Sequence, residues 1–127
     1  MSTTPTPPSQ DELDAGFLWD MREAAREVLD FTSGMAEDDF SSNKVVRYAT
    51  ERQLAVVGEA ARQVSIQFRR AHPAIEWDAL ISRRNLLIHE YGEITAQRLW
   101  RVITKDLPGL IATLTSLIPN PPTATGD

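Results

Sequence analysis

The chain has 127 residues, 42% hydrophobic and 24% charged, with a formal net charge of −5 at pH 7; that is one domain's worth of sequence, long enough to bury a core. It contains no cysteine, which excludes disulfides and thiolate metal sites. No apolar run approaches the ~20 residues that span a bilayer, and the N-terminus lacks a charged-then-apolar signal pattern, so a cytoplasmic protein with no membrane partner is expected.

The two ends, STTPTPPSQ and PNPPTATGD, are rich in Pro, Thr and Ser. They read as disordered tails, residues 1–10 and 119–127, around a domain at 11–118. Inside it the pattern is helical throughout. Ser9 and Glu12 have the spacing of a capping box, and Leu13, Phe17, Met21, Ala24, Val28 and Phe31 form one apolar stripe. Gly34 suits the left-handed turn after a helix, and AEDDF adds a short turn. Val46, Thr50, Leu54, Val57, Ala61, Val64 and Phe68 predict one long helix over 43–71, roughly 40 Å at the usual rise. Gly58 inside it implies close approach of another helix. After Pro73, Trp77, Leu80, Ile81, Leu87 and Ile88 mark a third helix. Thr95 is a candidate cap for a fourth, with Ala96, Leu99, Trp100, Ile103 and Leu107 on one side. Pro108 either kinks that helix or starts a fifth carrying Leu110, Ile111, Leu114 and Leu117. No stretch alternates with period two. The expected architecture is an all-α, up-and-down bundle of four to five helices, with the three tryptophans in core packing by default.

Charge is unevenly spread along this bundle. Residues 11–40 carry ten acids against Arg22 and Arg26, a balance of −8. Residues 62–84 carry Arg62, Arg69, Arg70, Arg83 and Arg84 against Glu76 and Asp78, a balance of +3. The net charge argues against a general nucleic-acid binder, but an anionic ligand, if there is one, belongs near the middle of the chain. Both runs are otherwise only solvated helix faces.

The stretch RRNLLIHEYGEI, residues 83–94, holds one of two histidines and one of two tyrosines. Tyr91 falls within about 20° of Arg84 around a helix, whereas His89 lies roughly 140° away. One straight helix cannot aim Arg84 and His89 at a common atom. Either the helix unwinds near His89, where Gly92 allows a turn, or a second chain supplies the other half of the site across a two-fold axis. Guanidinium matches phosphate oxygens, and imidazole moves protons near neutrality. Arg plus His is therefore a sufficient kit for cleaving RNA without a metal, the His transferring the proton and the Arg stabilising charge on the phosphorus oxygens. Asn85 can hold the phosphate or orient the Arg, and Tyr91 can donate a hydrogen bond. The bland alternative places the same residues at a helix end for packing and dipole reasons. His72, beside Pro73, reads as structural or exposed, and two isolated histidines build no metal site.

The segment ISRRNLLIHEY resembles the R-x-x-x-x-H-x-Y signature of HepT-like ribonucleases, small helical domains of the HEPN superfamily. VLDFTSGM with its acidic turn ending in Phe40, ERQLAVVGEAARQVS, HPAIEWDALISRRN and WRVITKDLPGLIATL resemble family segments in order, so the likeness covers roughly residues 13 to 118. The resemblance implies a HEPN-type bundle that forms a homodimer, with Arg84 and His89 catalytic in a cleft at the dimer interface and Asn85 as supporting polar residue. It implies a metal-independent endoribonuclease toxin acting on RNA, tRNA and mRNA both being candidates. It also implies a nucleotidyltransferase antitoxin of the MNT class (MntA-like), which transfers AMP from ATP onto Tyr91; the ATP is the partner's, and no cofactor is expected for this chain. An AMP there is a bulky anion beside a site that must accept RNA phosphate. Gln53 and Ala55 stand where the family often has Asn and Glu, and Gly92 where Phe is frequent. The rival expectation is a non-catalytic helical module that binds a nucleotidyltransferase or a nucleotide.

Overall fold

The computed structural model describes residues 5–82 and 93–119, with the backbone alone for 93–95. Helix α1, Gln10–Thr32, starts where Ser9 Oγ accepts the Glu12 amide at 3.2 Å and donates to Glu12 Oε1 at 3.2 Å. It ends at Gly34, whose φ of +81° is the left-handed conformation that glycine adopts without strain. Helix α2, Glu37–Ser42, is the acidic turn: Asp39 Oδ2 accepts the Ala36 amide at 2.9 Å, and Phe40 is fully buried. Helix α3, Lys44–Gln63, begins on Asn43, whose side chain accepts the Val46 amide. Among the described residues there is no strand, and no helix is long and apolar enough to cross a membrane. The all-α expectation holds.

Helix α1 runs antiparallel to α3. Asp14, near the start of α1, bonds Ser65, just beyond the end of α3, and Glu27 accepts a hydrogen bond from Gln53 further along. The last helix, α7 (Leu107–Leu117), also opposes α1: Leu107 sits with Ala25 and Val28, and Leu114 with Leu18 and Met21. Two apolar clusters result. One joins Leu18, Met21, Val57, Ala61, Val64, Ile75, Trp77 and Leu114; the other joins Val28, Phe40, Leu54, Leu99, Ile103 and Leu107. Gly58 is buried within α3.

The single long helix expected over 43–71 is not observed. The chain turns extended at Val64 and Ser65, and a separate α4, Ile66–Ala71, follows. The cause lies 51 residues away in sequence. Asp14 Oδ1 accepts the Ser65 amide at 2.9 Å and the Gln10 side-chain amide at 3.0 Å, while Asp14 Oδ2 accepts the Ser65 hydroxyl at 2.7 Å. An amide given to a side chain is lost to the helix ladder, so α3 stops. Ser65 Oγ in turn accepts the Phe68 amide at 3.2 Å and caps α4, and Arg69 Nε donates to the freed Val64 carbonyl at 3.1 Å.

Pro108 stands in the first turn of a further α-helix, α7, which carries Leu110, Ile111, Leu114 and Leu117 as expected, but no loop separates it from the helix before it. Helix α6, Glu93–Arg101, passes through a π-helical turn, Val102–Asp106, directly into α7. Within the turn the Leu107 amide bonds the Val102 carbonyl, one residue wider than an α-helical bond. That wider turn takes up the missing donor and the ring of a proline one residue further on. Thr95, expected as a cap, lies inside α6 rather than before it, since helix ends and periodic apolar stripes need not coincide. Of the tryptophans, Trp77 is buried and Trp100 half-buried, but Trp19 is 49% exposed on the outer face of α1, and Leu13 of the predicted stripe is also exposed.

Asp14 is 2% exposed. Burial raises its pKa, but the hydrogen bonds from the Ser65 hydroxyl, the Ser65 amide and Gln10 outweigh that and hold it below the usual carboxylate value. A depressed folded pKa contributes stability that is present above the unfolded value and lost as pH falls through the folded one. Asp14→Ala is expected to lower unfolding stability at pH 7 by about 1–3 kcal/mol, the cost of leaving buried donors unpaired. In urea titrations the gap to wild type narrows below about pH 4; a gap that stays constant with pH would contradict the ionised-carboxylate account.

Candidate functional site

Arg84, Asn85, His89 and Tyr91 all fall in residues 83–92, outside the described residues. The chain on both sides of that segment is held by contacts with the core. On the entering side the Trp77 indole N–H donates to the His72 carbonyl at 2.9 Å, and the His72 ring packs 4.2 Å from Phe68, which meets Trp77 edge-on at 6.3 Å. His72 is thus half-buried and structural, as expected. Helix α5 starts at Trp77 and is helical over 77–82, its first turn closed by the Leu80 amide on the Glu76 carbonyl at 3.1 Å. On the leaving side α6 is held by Ala96 and Leu99, both buried. The motif segment therefore joins the core cluster of Ile75 and Trp77 to that of Leu99.

The positive stretch at 62–84 is partly absorbed by structure. Arg62 is paired with Glu59 on the next turn of α3 at 2.8 Å, and that hydrogen bond and charge raise its pKa further. Arg69 is committed to the Val64 carbonyl. Arg70 is exposed at the end of α4, where it lines a shallow groove with Ile66, Pro73, Glu76 and Asp78.

Two features outside the motif carry charge that sequence spacing did not single out. On α3, Arg47 Nε is buried without a hydrogen-bond partner among the described residues. Glu51, one turn on, has its pKa raised by burial, against the lowering pull of the Arg47 charge. The second is a groove of about 640 Å³ lined by Gln97, Arg98, Trp100 and Arg101 of α6, Thr104 and Lys105 of the π turn, and Glu37 of α2. Arg98, Arg101 and Lys105 recur at intervals of three and four, the signal by which the sequence marks one helix face. Trp100 supplies the apolar wall, its ring centroid 5.5 Å from that of Phe40. Among the described residues no group of His, Asp or Glu is placed to hold a metal ion.

A family model described as ribonuclease HepT-like matches residues 21–117. A Methanocaldococcus jannaschii protein named as an RNase is 38% identical over 92 residues, covering 72% of this chain and 84% of that one. A protein of Thermococcus cleftensis named as ribonuclease HepT is 33% identical over 94 residues, 74% of this chain and 86% of its own. A third, from Caldanaerobacter subterraneus and also named as an RNase, is 30% identical over 83 residues, 65% of this chain and 74% of its own. No solved structure matches the chain significantly.

Proposed function

Since the chain belongs to the HepT-like ribonuclease family, we propose that it is an RNA-cleaving toxin whose reaction is carried by Arg84 and His89. The observation behind this reading is the spacing of Arg84, His89 and Tyr91, found within the 21–117 stretch that the family description matches. His89 takes the proton of a ribose 2′-hydroxyl or gives one to the leaving 5′-oxygen, and Arg84 stabilises charge as it builds on the phosphate. Asn85 holds the phosphate or orients the guanidinium. Neither role requires a metal or a cofactor of this chain's own.

The 140° offset between Arg84 and His89 is met by a second copy of the chain, so that a homodimer completes the cleft. Regulation follows from Tyr91. A nucleotidyltransferase antitoxin of the MNT class transfers AMP from ATP to its hydroxyl oxygen, releasing pyrophosphate and the hydroxyl proton, and the added anion repels and blocks RNA phosphate. The proposed setting is the cytoplasm.

Purified protein incubated with total RNA in EDTA is expected to cleave it. His89→Ala is expected to reduce the rate by on the order of 10²–10⁴, and Arg84→Ala by about 10²–10³, both with unchanged helical circular dichroism. Absence of cleavage by wild type, or equal cleavage by His89→Ala, would sink the catalytic reading and leave a helical module that binds a nucleotidyltransferase or nucleotide.

With the partner and ATP, mass spectrometry is expected to find AMP on a peptide containing Tyr91. The chain's other tyrosine, Tyr48, is 62% exposed and serves as an internal control. Equal modification of Tyr91→Phe would move the acceptor to Tyr48 or elsewhere.

A further inference from the structure

We propose that the groove between α6 and α2, with Arg98, Arg101 and Lys105 beside Trp100, binds a single-stranded stretch of RNA backbone. The inference rests on the ribonuclease reading, and it adds a contact surface built from residues outside the cleavage motif. The chain carries a net charge of −5, so three cations on one face, with Glu37 as the one carboxylate among the described lining residues, stand against the general sign of the molecule. Concentrated positive charge of this kind draws in a polyanion.

Geometry favours a polymer over a small anion. Arg98 to Lys105 covers about 10 Å of helix axis, and the groove is open rather than a closed pocket that would enfold a phosphate. The π turn brings Thr104 and Lys105 to the same groove as Gln97, Arg98 and Arg101, so cationic and neutral polar side chains are both present along it. Trp100 adds a half-buried aromatic wall, fixed from behind by Phe40. Cations that follow a backbone and an aromatic surface for a base are the combination that single strands use. An acidic polypeptide would use the cations but has less need of the indole. The described part of α6, Glu93–Arg101, follows immediately on the segment that holds Arg84 and His89, so RNA on this groove lies along the element that leads out of the motif.

The test uses the full chain carrying His89→Ala, a fluorescently labelled single-stranded oligoribonucleotide, and anisotropy at several salt concentrations. Arg101 and Lys105 are both exposed; Arg98 has a further interaction within the fold and is left intact. Arg101→Ala with Lys105→Ala is expected to weaken binding at least about ten-fold. It is also expected to flatten the slope of log affinity against log salt by about 1.4, two lost phosphate contacts at roughly 0.7 each on a single strand. Arg101→Lys with Lys105→Arg is expected to retain most of the affinity.

An unchanged affinity and slope in the alanine pair overturns the proposal. So does an equal loss in the charge-retaining pair, which would mean altered folding, or a loss of polyglutamate binding with RNA binding intact, which would assign the groove to an acidic protein. Cleavage by the unmutated chain is measured separately. RNA bound through this groove but never cut would end the ribonuclease reading and leave the groove standing. RNA cut by the alanine pair with an unaltered KM would do the reverse.

Discussion

The buried carboxylate of Asp14 decides where the chain goes after its two longest helices. It receives the amide and the hydroxyl of Ser65 and the side-chain amide of Gln10, a full set of donors for a group that is 2% exposed. A carboxylate in such a place is tolerable only with those bonds. The same bonds fasten the start of α1 to the end of α3 and take the Ser65 amide out of the helix. Because α3 stops there, α4 can turn away, Phe68, His72 and Trp77 can interlock, and α5 can start against the core cluster of Ile75 and Trp77. The route into the motif segment is therefore set by one polar contact at the opposite end of the α1–α3 pair from Phe40.

The other end is organised by packing and by a proline. Phe40 on α2 lies against Trp100, and both belong to the cluster that holds α6 onto α1 and α3. Pro108 would cost a straight α-helix about 3 kcal/mol or more at an interior position. The π turn at Val102–Asp106 removes the conflict while keeping the helical run unbroken, so Leu99, Val102, Ile103 and Leu107 all still reach the core. It also carries Thr104 and Lys105 round to the groove beside Trp100. A device that relieves backbone strain thus shapes a polar surface as well.

Charge in this molecule illustrates how little a local tally says about availability. The basic run around residues 62–84 looks like the place for an anion, yet Arg62 is paired with Glu59 and Arg69 with a backbone carbonyl released by the α3–α4 break. The basic groove on α6 sits in a stretch whose overall charge is unremarkable. It exists because three cations share one face and because α2 closes one side, and only the first of those conditions is visible as spacing.

What the amino-acid order determined by itself is whatever depends on residues a few positions apart. The apolar periodicity of α1 and α3, the Ser9–Glu12 start, the left-handed Gly34 and the all-helical class are of this kind, because helical bonds and caps reach only three or four residues. The Arg84, Asn85, His89 and Tyr91 motif is likewise legible as a string of residue types with a chemistry and a family. The tertiary structure decided the rest. The division of residues 43–71 into two helices depends on Asp14, 51 positions before Ser65. The outward placement of Trp19 depends on which face of α1 the other helices occupy, and the groove beside Trp100 on α2 meeting α6. Each is an interaction between distant parts of the chain, and periodicity cannot signal a partner that lies beyond its own few turns.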